Sequence, residues 1–206
     1  MKFYTIKTPS IIQRVFSNYR WRFSSVPKEI YLTFDDGPTP EITTFVLNEL
    51  KKHQAKATFF CIGKNVKNHP SIYERIKKEG HSVGNHTYNH LNGFRTNNIN
   101  YIENILQAEK LIESNLFRPP YGRLKSSQAR SIIGKGYKII MWDILSGDFD
   151  TTITPEKCLK NVLEKTTNGS IVVMHDSEKA KDKIFYTLPK ILSYYQEKGY
   201  LFKAIS

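Results

Sequence analysis

Cysteine is nearly absent from this chain. Cys61 and Cys158 are the only two, and both fall inside apolar patterns. A disulfide framework is therefore not expected, and two small buried thiols are, although spacing leaves a single bridge open. Long hydrophobic runs are missing as well: nothing approaches the roughly 18 apolar residues of a membrane-spanning helix. The N-terminal stretch MKFYTIKTPSIIQRVF has neither the unbroken apolar core nor the small-residue cleavage site of a signal peptide. No G-x-G-x-x-G follows the first strand-like run, so a dinucleotide-binding fold has no support. Repeats, low-complexity tracts and linkers are also lacking, and 206 residues suit one domain. Acidic residues are scarce, 19 against 31 Lys and Arg, for a net charge of +12. Such a surface favours anionic partners such as nucleic acid, acidic glycans or phospholipid head groups, or simply keeps the chain soluble.

Hydrophobic residues make up 39% and aromatics 13%, enough for a packed interior. Short apolar runs alternate with helical patterns. IYLTF (30–34), ATFFCI (57–62), HSVGN (81–85), a very short run near Phe117, YKIIMWDI (137–144), SIVVMHD (170–176) and YLFKAI (200–205) read as about seven strands. Thr39-Pro40-Glu41 and Thr154-Pro155-Glu156 each supply an N-cap, a first-turn proline and a first-turn acid for the helix that follows. Further helices are expected over 70–80, 98–115, 126–136 and 185–198. Parallel strands need crossover connections, so this alternation predicts an α/β fold with a helix-covered parallel sheet, either a closed barrel or an open doubly wound sheet. Ahead of it lies a basic extension, residues 1–29, expected to pack on the domain. Within it, Ile12, Phe16, Tyr19 and Phe23 fall at helical spacing among Arg14, Arg20 and Arg22. A stripe of this kind packs against its own domain, which is the expectation, or lies on an anionic membrane surface.

Ionisable residues gather at one end of the strands. Asp35 and Asp36 follow the first, His86 the third, Arg118 the short fourth, Asp148 the fifth, and His175 and Asp176 close the sixth. In α/β barrels the loops after the strands open on one face, where active sites sit. Adjacent carboxylates such as Asp35-Asp36 need either a wet turn or a positive partner. HTYNH (86–90) sets His86 and His90 four apart, a spacing that on a helical turn brings two imidazoles to one side. Two histidines and one carboxylate make a three-ligand zinc site with a position left for water. Surface histidines and a solvated turn are the plainer alternatives for each motif taken alone. His53, His69 and His81, at helix ends or a strand start, read as structural or exposed.

TFDDGP (33–38), HTYNH (86–90), RPPYG (118–122), WDILSGDF (142–149) and VMHD (173–176) occur in this order. Together they resemble the five motifs of the polysaccharide deacetylases, the NodB-like carbohydrate esterases of family 4. The resemblance covers about residues 30–206, and it implies a single-domain irregular (β/α) barrel. It also implies a metal-dependent hydrolase that removes N-acetyl groups from N-acetylglucosamine-type sugars in a glycan or lipid-linked sugar. By similarity, Asp36, His86 and His90 hold zinc, or cobalt, manganese or nickel in its place. Asp35 is the general base acting on metal-activated water, Arg118 pairs with that base, His175 is the general acid, and Asp148 orients His175. The backbone N–H of Tyr121 resembles the oxyanion donor.

Two positions depart from the family pattern. Phe149 follows Asp148 where tryptophan is usual, and Met174 precedes His175 where leucine is common. Both are expected to line the acetyl-methyl pocket, keeping it apolar while changing its shape. Wall-acting members of the family usually carry an export signal, so the cytoplasm or the inner face of the membrane is the expected location. Residues 11–23 are then expected near anionic lipid, with a monomer and no nucleic-acid partner. The alternative function is a non-catalytic basic module binding glycan or membrane surface on the same barrel.

Overall fold

Strand β1 (Glu29–Asp35) is the hub of the sheet, and burial from Leu32 to Phe34 on both faces accounts for its unbroken apolar run. In the computed structural model, which describes residues 4–23 and 27–206, β1 pairs with β2 (Thr58–Cys61) on one side and β7 (Ile171–His175) on the other. Outward from these run β3 (Ser82–Asn85), β4 (Leu116–Phe117) and β5 (Lys138–Ile139), and beyond β7 lies β6 (Ile144–Leu145). The order is β5-β4-β3-β2-β1-β7-β6, with β8 (Leu201–Phe202) added beside the start of β1. All these ladders are parallel. Helices α2 (Pro40–Lys52), α3 (Gly63–Asn68), α4 (Pro70–Lys78), α5 (Asn98–Glu109), α6 (Ser126–Gly134), α7 (Pro155–Lys165) and α8 (Lys181–Glu197) supply the connections. The architecture is the single-domain irregular (β/α) barrel expected from the sequence.

The strand expected over 137–144 is two strands. Between β5 and β6 the carbonyls of Ile140 and Met141 turn to the Arg118 guanidinium, at 3.1 and 3.0 Å, instead of to a neighbouring strand. Helix α3 leaves no signal in the sequence, because GKNVKN is too polar and too short to show a periodicity.

Register sorts the side chains. Parallel partners share a face and successive residues alternate. Phe34 is level with Met174 and Leu32 with Val172, and all four pack with Ile184 and Leu188 of α8 in the core between sheet and helices. Thr33, Asp35, Ile171, Val173 and His175 therefore face the barrel interior, where Phe60, Leu116, Ile140, Ile171 and Ile205 form a second cluster. Gly84 is required there: a Cβ at this position would lie 2.5 Å from the Phe60 ring.

The N-terminal extension crosses the seam between β5 and β6. Leu145 donates its N–H to Ile6 and Thr8 donates to Asp143, both at 2.8 Å; Arg20 donates to Ile139 at 2.8 Å and Met141 to Arg20 at 2.7 Å. Helix α1 (Ser10–Val15) ends well short of Phe23, and residues 20 and 22 instead form isolated bridges to the barrel. Half of the expected stripe packs on the domain: Tyr19 and Phe23 are half-buried against the barrel's apolar clusters, Phe23 stacking on Tyr31 with ring centres 4.1 Å apart. Ile12 and Phe16 stay 40% and 41% exposed, beside Ile11 and Val15 at 63% and 67%. Residues 1–3 and 24–26 of the expected 1–29 extension lie outside the described residues. Among those described, no helix is long and apolar enough to cross a membrane.

Candidate active site

Asp35 is the last residue of β1, level with Phe60 of β2 and His175 of β7. Its Oδ1 receives the Arg118 Nη1 hydrogen at 2.7 Å, with side-chain exposures of 5% and 0% for the pair. Arg118 follows β4 and is the largest fully buried side chain among the described residues. Burial alone would lower the pKa of its guanidinium, and the Asp35 charge opposes that. The same guanidinium bonds Thr33 Oγ1 at 2.7 Å and stacks 4.0 Å from the Phe60 ring centre. An arginine so fully partnered is an ordered element of the site and not a surface cation.

Asp36 takes the next position, with φ at 84°. Its carboxylate meets His86 and His90, and one ligand atom from each of the three lies within 4.8 Å of the others. The pair His86–His90 is not on a helical turn, as the spacing suggested. It spans a loop with Thr87 and His90 in the left-handed region, and the imidazole centres are 5.1 Å apart. The loop is held by Asn104 of α5, whose Oδ1 accepts the N–H groups of Tyr88 and Asn89 at 2.9 and 3.0 Å. Asn65 of α3 donates to the Asp36 carbonyl at 2.7 Å. Neither asparagine is visible in the sequence as a site residue. Strained backbone gathers here: Asp36, Thr87, His90 and Tyr121 all have positive φ.

The three side chains fit a cation. His86 Nδ1 lies 2.7 Å from the Arg118 carbonyl; a carbonyl only accepts, so Nδ1 carries the hydrogen and Nε2 presents its lone pair. Burial pushes the His86 pKa down to about 4, so the ring stays neutral. Asp36 Oδ1 lies 3.1 Å from His90 Nε2 and 3.7 Å from His86 Nε2, yet this buried oxygen accepts no hydrogen bond. Burial works to raise the Asp36 pKa, but His90, His175 and His86 together hold it well below the ordinary range. An anion facing the His86 lone pair and the Nε2 of His90 makes a three-donor set that a positive centre would complete.

Across the mouth, Asp148 is fully buried and grips His175 twice. Its Oδ2 accepts the backbone N–H at 2.6 Å and its Oδ1 the ring Nδ1–H at 2.7 Å. Burial tends to lower the His175 pKa, but the Asp148 charge and hydrogen bond, then Asp36 and Asp35, raise it to about 10. The Phe149 ring lies edge-on to His175 with centres 5.4 Å apart, and Tyr4 backs Phe149 at 5.2 Å. Tyr121 is 62% exposed, its ring 4.6 Å from His90, and no described group accepts its N–H.

Met174 is a correction. It is fully buried with Phe34 in the core against the helices, on the opposite face of β7 from His175, because neighbours in a strand alternate. Val173, level with Thr33, is the residue on the His175 face. The period-two pattern carried that information.

Two buried ion pairs, Arg118–Asp35 and His175–Asp148, and a candidate cation site share the mouth of a parallel barrel, where enzymes of this architecture place their active sites. The chain belongs to the polysaccharide deacetylase family, whose sequence model, described as "Polysaccharide deacetylase", matches residues 24–140. It is 33% identical over 192 residues to a Bacillus cereus peptidoglycan-N-acetylglucosamine deacetylase, covering 90% of each chain. A second B. cereus protein of that name is 35% identical over 155 residues, and the alignment takes in 72% of this chain but only 56% of the relative's length. The fold superposes with a TM-score of 0.83 and 30% identity on a peptidoglycan N-acetylglucosamine deacetylase solved in complex with 4-naphthalen-1-yl-N-oxidanyl-benzamide, covering 96% of this chain and 95% of that one.

Proposed function

We propose that this protein removes N-acetyl groups from N-acetylglucosamine-type residues of a glycan, with a divalent cation, zinc by expectation, held by Asp36, His86 and His90. The observation that carries the reading is the unpartnered Asp36 Oδ1 between two imidazoles, flanked by the Arg118–Asp35 and Asp148–His175 pairs. The names of the relatives support the N-acetylglucosamine substrate.

A bound divalent cation would polarise the acyl oxygen and acidify water. Asp35 is the base: Arg118 occupies Oδ1, which leaves Oδ2 to accept the proton of the attacking water. The Tyr121 N–H donates to the oxygen that gains charge as the amide carbon becomes tetrahedral. His175, with Nδ1–H committed to Asp148, presents Nε2 toward the mouth and passes its proton to the departing sugar nitrogen. The amide C–N bond breaks, leaving acetate and a free amine. Phe149 and Val173 offer the apolar wall for the acetyl methyl.

The test is acetate release from N-acetylglucosamine oligomers, with and without chelator and with zinc or cobalt restored. Asp35→Asn is expected to keep the metal and lose turnover, and His86→Ala to lose both. Normal turnover by Asp35→Asn would overturn the base assignment.

A further inference from the structure

Helix α1 carries an apolar stripe that the barrel leaves uncovered. Ile11, Ile12, Val15 and Phe16 are 63%, 40%, 67% and 41% exposed, and no residue of the helix is buried. At 3.6 residues per turn these positions occupy a continuous arc of about 140°. A helix of six residues does not stand alone in water; here the flanking chain braces it. Thr8 donates its N–H to Asp143 and its hydroxyl to the Trp142 carbonyl, both at 2.8 Å. Gln13 donates to the Thr8 carbonyl at 3.1 Å, and Trp21 Nε1 to the Phe16 carbonyl at 2.9 Å. The stripe is therefore presented on a fixed scaffold, and clustered exposed apolar side chains of this size mark an interaction surface.

Charge selects the partner. No acidic residue precedes Glu29, against Lys2, Lys7, Arg14, Arg20, Arg22 and Lys28; among these Lys7, Arg14 and Arg20 are exposed around the helix. A second copy of this chain seated on the stripe would set the same cations face to face. A sheet of phosphates with hydrocarbon beneath complements both features at once. We infer that α1 docks the protein on an anionic phospholipid bilayer, with Ile11, Ile12, Val15 and Phe16 in the interfacial layer and Lys7, Arg14 and Arg20 on lipid phosphates. Tyr4, whose ring backs Phe149, is six residues before Ser10. That stretch spans at most about 20 Å, so docking holds the barrel mouth close to the membrane surface.

The experiment is co-sedimentation of the full chain with vesicles of phosphatidylcholine alone and of phosphatidylcholine mixed with phosphatidylglycerol, at low and high salt. Binding is expected to the mixed vesicles only, and to weaken at high salt. Ile11→Ser/Val15→Ser, both at exposed positions, should melt at the wild-type temperature and bind about tenfold more weakly or less. Arg14→Glu should weaken binding at low salt and lose that effect at high salt. Absence of wild-type binding to the mixed vesicles, or undiminished binding by the apolar double variant, would overturn the inference. So would a wild-type dimer that the double variant dissolves, with no vesicle binding, since a second copy would then own the stripe.

Discussion

Arg118 and Asp35 form a hydrogen-bonded ion pair of 2.7 Å with almost no solvent access, 83 residues apart in the chain. Their charges are far more costly alone than together. Arg118→Met should therefore destabilise the fold by about 3–5 kcal/mol, because it strands a buried carboxylate and also frees the carbonyls of Ile140 and Met141. Pairing it with Asp35→Asn should restore part of the loss. Urea midpoints of the two single variants and the double variant check this; strictly additive losses would show that the pair is not coupled.

The seam and the mouth differ in how far the sequence exposes them. Asp35, Asp36, His86, Arg118, Asp148 and His175 are legible because each follows an apolar run, and the fold brings these strand ends to one side. Asn65 and Asn104 are not: each acts on a loop backbone from inside a helix, and nothing in their local context distinguishes them from ordinary helix-surface asparagines. YKIIMWDI carries an uninterrupted strand pattern, yet tertiary bonds from Arg20 and Arg118 divide it. Adjacency to His175 draws Met174 into the site motif, whereas alternation along β7 puts Val173 on the His175 face. The spacing of Ile12, Phe16, Tyr19 and Phe23 has the pattern of one core-facing helix, and only the fold shows that α1 stops at Val15, so that Tyr19 and Phe23 reach the barrel while Ile11, Ile12 and Val15 are left exposed.

The His175–Asp148 bond predicts a pH signature. In the chelated protein the folded-state pKa of His175 is raised from 6.5 to about 10, so its contribution to stability is complete below pH 6.5 and is lost as pH rises through about 10. Burial and then the Asp36 charge raise Asp176 from 3.8 to about 7, so its own loss of stability runs between those values as pH rises and is complete above 7, where the decline due to His175 stands apart from it. Asp148→Asn should flatten the decline between these limits. Parallel stability curves for wild type and variant in urea melts would refute it. A bound cation beside Asp36 opposes the imidazolium charge, so zinc should move the decline to lower pH.

Cation binding should stabilise the fold. Zinc at about a hundredfold above its dissociation constant adds about 2.7 kcal/mol if the unfolded chain does not bind it. His90 is the better probe than His86, since its side chain is 24% exposed while His86 also holds the Arg118 carbonyl. His90→Ala should fold with nearly wild-type stability in chelator and gain little from zinc. Differential scanning with and without metal decides it, and an equal zinc shift in both proteins would remove His90 from the ligand set.

Gly37 separates the base and the ligand from Asp176, and its lack of a side chain is required. A Cβ there would sit 1.9 Å from Asp176 Oδ2 and 2.5 Å from its Cγ. Asp176 has nowhere to retreat: it is fully buried, accepts the Gly37 N–H at 3.0 Å and takes the Thr43 hydroxyl on its other oxygen. Gly37→Ala must therefore either expel that carboxylate from both bonds or displace the turn that begins at Asp36. Either route is expected to cost at least the 1–3 kcal/mol or so typical of overpacking. The two are separable by zinc titration of the folded variant. Displacement of the turn weakens zinc along with stability, while rotation of Asp176 lowers stability alone. Adding Asp176→Ser, which shortens the side chain, should recover zinc affinity in the first case. A Gly37→Ala protein with wild-type melting and wild-type zinc affinity would show that the turn has slack that the 1.9 Å approach denies.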